Sequence, residues 1–196
     1  MSPNVFLAIK ITNQDLIKNL REAHFNVVMK DNRLKDFITP VETAHVTLNV
    51  FRAEEDRLEE AKKILRDTFE ANLDKFKATE SLTFKGLGMF GTGVLFVKPN
   101  AGVEFLNSAY EVFKAALAKH NFKLSEYDSY NPHITIFQVS GARESSLNTI
   151  PSETFKDIAD MEFGCQEVEE IQFLSMSKEK DREGFYYCED SFTLPR

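Results

Sequence analysis

The chain has no tryptophan, two cysteines, six prolines and eight glycines in 196 residues. Cys165 and Cys188 are too few for a disulfide framework or a cysteine-based zinc cluster. With no biased tract and no repeat period, low-complexity and repeat-array architectures are excluded. No apolar run approaches the roughly 18 residues of a membrane helix, and no secretory signal opens the chain. The expectation is a soluble intracellular protein, cytoplasmic or nuclear, with no membrane partner. Positive charge is also scarce: 24 Lys and Arg stand against 31 Asp and Glu, a formal net charge of −7. Long nucleic acid, held by counterion release on a basic face, is therefore not an expected partner. A small anionic ligand at one locally positive site is compatible with that balance.

What is present is apolar residues, 42% of the chain, with 18 Phe among them. That is enough to bury a sizeable core, and the length fits a single domain over 1–196. Alternation predicts strands over 5–11 and 43–51, with a helix to about Met29 between them. In "TNQD" (12–15) a Thr stands three residues before an acid, as in a capping box. Apolar spacing predicts a second helix over roughly 54–77 and a third through Phe105, Phe113 and Leu117. "SLTFKG" and "GVLFVKP" read as strands joined by a glycine turn. Ser152 is placed to cap a short helix, and 170–177 with 184–194 form a closing antiparallel pair.

Two short stretches carry the chemistry. "AHVTLNV" and "NPHITIFQV" each hold His-x-Thr in strand context: His45 with Thr47, and His133 with Thr135. Residues i and i+2 of a strand share a face, so each His points with its Thr while Val46, Leu48, Ile134 and Ile136 point into a core. A lone strand histidine is usually packing. With twelve Thr in 196 residues, two such coincidences among four histidines arise by chance roughly 2% of the time. The surroundings also match, because Lys10 lies 35 residues before His45 and Lys98 lies 35 before His133. Each unit reads strand, helix, His-x-Thr strand, helix. The expectation is an α+β fold of two pseudo-symmetric β-α-β lobes, approximately 1–85 and 86–196, with antiparallel sheets flanking a cleft.

Two imidazoles facing one another can act as general base and general acid near neutral pH. Two Thr hydroxyls on the same faces can hold developing charge on non-bridging oxygens. A phosphodiester, with one attacking and one leaving oxygen, fits that set. No metal and no cofactor is expected, since neither His has Asp, Glu or Cys beside it at ligand spacing.

The doubled motif, its separation and the flanking "PNVFLAIKIT", "KGLGMFG", "VLFVK" and "EGFYYCE" resemble the 2H phosphoesterase family, from Pro3 to about Leu194. Within it, the chain is similar to the branch containing the central domain of A-kinase anchoring protein 7. The resemblance implies a two-lobed α+β fold and metal-independent cleavage of 2′,5′-linked oligoadenylate. His45, Thr47, His133 and Thr135 match the family motif. A free 3′-hydroxyl would attack phosphorus as one His removes its proton, and the other His would protonate the departing 5′-oxygen. The implied partner is a small nucleotide or short 2′,5′-linked oligonucleotide. The alternatives are a cyclic-nucleotide-end or RNA-end processing phosphoesterase, and a non-catalytic module binding AMP-type nucleotides. Where the branch carries an Arg that could meet phosphate or base, this chain has Asp128, which bears on substrate preference. No apolar-striped helix follows the last strand, so kinase anchoring is not carried over.

Further candidates lie on the flanking strands. Phe96 is placed to stack on a base, Lys98 to meet a phosphate, and Tyr130, close to His133, to touch substrate. "GLGMFG" (86–91) matches a dinucleotide fingerprint but precedes a strand, so its glycines are expected in a turn. His24 reads as a partly buried structural residue, His120 as a favourable charge at a helix end, and "EEDRLEEAKK" as a solvated helix face.

Overall fold

The computed structural model describes residues 2–77, 81–125, 129–139 and 147–196. Asp128 lies outside them. The chain runs β1 (Val5–Lys10), α1 (Gln14–Lys30), β2 (His45–Arg52), α2 (Leu58–Ala71), β3 (Ser81–Phe90), β4 (Val94–Ala101), α3 (Val103–Lys119), β5 (Lys123–Leu124), β6 (Ile134–Gln138), β7 (Glu162–Glu167), β8 (Glu170–Ser175) and β9 (Tyr187–Thr193). Among these residues there are two antiparallel sheets, one ordered β5-β2-β1-β8-β9 and the other β6-β4-β3-β7. The repeated unit is real at the level of topology. β1 and β2 pair antiparallel around α1, and β4 and β6 pair antiparallel around α3.

The sheets are not consecutive halves of the chain. β8 returns from the C-terminal part to pair on β1, with β9 on its far side, and the short β5 pairs on β2. A closing pair was predicted, but its docking onto β1 rests on contacts some 165 residues apart in sequence. No local pattern encodes such contacts.

Several local expectations are corrected. The α1 cap is Asn13, whose side chain accepts the Leu16 N–H at 3.0 Å. Thr12 instead donates its backbone N–H to Gln166 Oε1, and its hydroxyl oxygen accepts from Gln166 Nε2. Of the three glycines in "GLGMFG", Gly86 and Gly88 lie inside β3 and Gly91 falls in the β3–β4 turn. Ser152 opens a 3₁₀ turn (Ser152–Thr154) and caps nothing, and the second unit ends in two such turns rather than a helix. The charged face of α2 is laced by pairs of Glu59 with Lys62 and of Lys63 with Asp67.

One core runs through the molecule. Phe51, Phe173 and Phe122 meet under the first sheet, and Phe69, Phe76, Phe113 and Phe192 pack between it and α2 and α3. Such ring pairs add about 0.5–1.5 kcal/mol each beyond their buried area. A second small cluster of Phe6, Ala8, Leu174 and Phe185 covers the opposite face of β1. Alternation along β1 separates the two: Val5, Leu7 and Ile9 enter the core, while Phe6, Ala8 and Lys10 face the site.

Candidate active site

His45 opens β2 and His133 immediately precedes β6, so each imidazole stands at the start of its strand. Both rings are held the same way. His45 Nδ1 lies 2.7 Å from the Thr43 carbonyl, and His133 Nδ1 lies 2.7 Å from the Asn131 carbonyl. A carbonyl only accepts, so Nδ1–H donates in both rings, and in the neutral form Nε2 carries the free lone pair. The two-residue reach-back is the same on both strands, which gives two imidazoles of one tautomer.

Each ring is walled by aromatics. Phe6 lies 5.2 Å and Tyr186 5.5 Å from His45 between centroids, the latter edge-on. Phe96 lies 5.1 Å and Phe90 4.7 Å from His133. These walls desolvate the rings, and burial pulls both imidazoles below the ordinary His range. The Thr43 and Asn131 carbonyls oppose that shift. Positive charge on His133 further disfavours charge on His45, so the two rings sit close enough to sense one another. Charge on one ring thus works against charge on the other, on top of the larger effect of burial.

The cross-strand neighbours differ between the units. Thr47 lies opposite Ala8, whereas Thr135 lies opposite Phe96. Phe96 in turn lies opposite Gly88, and a Cβ at that glycine would stand 2.7 Å from the ring. The glycine thus gives Phe96 room to lie along β3 toward His133. Lys98 runs beside it, its stem near Gly86 and Gly88 and its side chain exposed. Its counterpart Lys10 is engaged, 3.8 Å from Glu183 and over the Phe185 ring at 4.6 Å.

Tyr130 occupies a different place from Phe96. Its hydroxyl donates to the Thr47 carbonyl at 2.7 Å, and its ring stacks on Tyr110 at 4.3 Å. The segment leading into His133 is thereby bonded to the strand carrying Thr47. Sequence reasoning missed Tyr186 and Phe90 as walls of the histidines. Phe90 is recoverable in principle from the register of the β3–β4 hairpin, whereas Tyr186 reaches His45 only because β9 folds back. His24 is buried, its Nε2–H donating to the Ile136 carbonyl at 2.9 Å, and His120 ends α3.

Two strands, one in each sheet, each bring a His-x-Thr with Nδ1 fixed by a carbonyl, and with the family match that follows they define the class as a 2H phosphoesterase. Over residues 3–194 the chain matches the family described as AKAP7 2′5′ RNA ligase-like domain, and it belongs to that family. It is 29% identical over 202 residues to human A-kinase anchor protein 7 isoform gamma, covering 98% of this chain and 57% of that protein. An uncharacterized Caenorhabditis elegans protein is 20% identical over 156 residues, covering 79% of this chain and 65% of its own length. The chain thus spans less than two thirds of either relative. Among solved structures, TT0787 of Thermus thermophilus superposes with a TM-score of 0.68 at 21% identity, covering 97% of both chains. E. coli LigT complexed with 3′-AMP superposes with a TM-score of 0.66 at 14% identity, covering all of both chains.

Proposed function

We propose that this chain is a 2′,5′-phosphodiesterase cleaving short 2′,5′-linked oligoadenylates. The observation that supports it most is the matched pair of imidazoles, each fixed through Nδ1 and, among the described residues, free at Nε2. In the reaction the 3′-hydroxyl beside a 2′-phosphodiester loses its proton to one Nε2 and attacks phosphorus. The bond to the 5′-oxygen breaks, and the protonated partner imidazole donates to that oxygen. The products are a 2′,3′-cyclic phosphate and a 5′-hydroxyl. Thr47 and Thr135 hydroxyls hold the non-bridging oxygens as charge builds on them.

Phe96 and Phe90 offer a base an apolar shelf beside His133, and the exposed Lys98 ammonium stands on the same strand for a phosphate. Tyr130 supports Thr47 from behind, since its hydroxyl is already bonded. LigT, with the same fold, has been crystallised with 3′-AMP, with ATP and with NADP+, which fits a nucleotide-sized ligand.

The test compares 2′,5′- and 3′,5′-linked triadenylate with EDTA present. Cleavage of the 2′,5′ isomer alone supports the proposal. Preference for 3′,5′ linkages, or for 2′,3′-cyclic phosphates, moves the chain to RNA-end processing. Tight AMP binding with no turnover of any ester leaves a nucleotide-binding module.

A further inference from the structure

Away from the histidines, a cavity of about 970 Å³ opens where the outer edge of the first sheet meets α3. Arg52, Lys114 and Lys123 line it, with Tyr110, Asn121 and Phe122. Among the described residues no acidic side chain lines it. Arg52 is held by Glu54, but Lys114 and Lys123 have no ion-pair partner among the described residues. Lys114 lies over the Tyr110 ring at 5.5 Å.

The cavity is continuous with the catalytic strand. His45, Thr47 and Val50 face the site, Phe51 enters the core, and Arg52 returns to the site face. Lys123 pairs directly with Arg52 and so shares that face. Five residues of strand separate Thr47 from Arg52, a span of about 16 Å at ~3.3 Å per residue. Tyr110 also joins the two places, since its ring stacks on Tyr130, whose hydroxyl meets the Thr47 carbonyl.

We infer that this basic cavity is a second anion subsite, taking a terminal phosphate of an oligonucleotide whose scissile linkage lies between the histidines. The inference rests on the phosphodiesterase reading and names the substrate class: a strand of several nucleotides with a phosphorylated end. A stacked strand carries a phosphate about every 3.4 Å of axis, so about five phosphate-to-phosphate steps cover the gap, as in a 5′-triphosphorylated tetramer cut at its last linkage. On a protein of net charge −7, Lys114 and Lys123, without an ion-pair partner among the described residues, are where a polyanion's far end is drawn.

Two measurements test it together. The first titrates inorganic tripolyphosphate and follows backbone amide shifts at Asn121, Lys123 and Ser125. The second takes the kcat/KM ratio between 5′-triphosphorylated and 5′-hydroxyl 2′,5′-tetraadenylate, for wild type and for Lys114→Ala/Lys123→Ala. The expected result is saturable shifts at those amides and a wild-type ratio of about ten, carried by KM. The double variant brings that ratio close to one, as does high salt. Shifts confined to the histidine strands, or no shifts, overturn the subsite. Shifts at the cavity with a wild-type ratio of one assign it to a free anion and overturn its link to the strand's end. Shifts at the cavity with no cleavage of either tetramer leave the anion site standing and remove the cleavage reading instead.

Discussion

At positions 47 and 135 a hydroxyl stands two residues beyond an imidazole on the same strand face, and nothing about packing demands it. Valine is close to threonine in shape and suits a strand at least as well. Thr47→Val and Thr135→Val therefore separate chemistry from fold. Each is expected to lower kcat about 100-fold, the scale of losing one preorganised donor to a developing oxyanion. Melting temperature stays near wild type; measuring both on one preparation checks the prediction. The four motif residues were legible because a period of two and a repeated spacing of 35 are local signals. The aromatic walls were not, since one Phe among 18 carries no address.

At the scale of the element, β3 shows how a motif misreads. "GLGMFG" suggests a turn because glycine ordinarily punctuates strands. Here the strand continues through Gly86 and Gly88, and the glycine at 88 makes room for a neighbour's ring. Gly88→Ala is expected to destabilise by about 1–3 kcal/mol through overpacking and to reduce turnover by moving Phe96 off His133. In a Phe96→Ala background the same substitution is expected to cost little stability, which a double-mutant cycle in urea reads directly.

α1 is tied to β6 by His24, whose burial pulls its pKa from 6.5 to about 4. The unfolded chain takes up that proton first as pH falls. The stability His24 confers is therefore intact above pH 6.5 and drains away toward pH 4, by about 3 kcal/mol in full. His24→Gln keeps a donor for Ile136 without that ionisation. The variant is expected to lose less stability than wild type between pH 7 and pH 4.5, measured by urea unfolding at both values.

On the scale of the whole molecule, the two units have to hold their histidines at a fixed separation. The Tyr130 hydroxyl makes one bond across that divide, from the approach to β6 to the carbonyl of Thr47. Tyr130→Phe keeps the stack on Tyr110 and removes only that bond. Stability is expected to fall by about 1 kcal/mol, the usual net worth of a hydrogen bond, while kcat/KM falls about tenfold as the strands lose register. A kcat/KM equal to wild type would show that the units are aligned by other contacts. The bilobed plan was legible from the repeat. Its interleaving was not, because the return of β8 to β1 depends on which exposed strand edge is free once both units have formed.

The central claim, that one imidazole accepts a proton and the other donates one, is tested most directly with a good leaving group. The measurement is kcat/KM of wild type, His45→Ala and His133→Ala on 2′,5′-diadenylate and on adenosine 2′-(p-nitrophenyl phosphate). Nitrophenolate departs without protonation, while attack by the 3′-hydroxyl still needs a base. The account predicts that both variants fail on diadenylate, and that one of them recovers most of its activity on the nitrophenyl ester while the other does not. Equal behaviour of the two variants on both esters would contradict it.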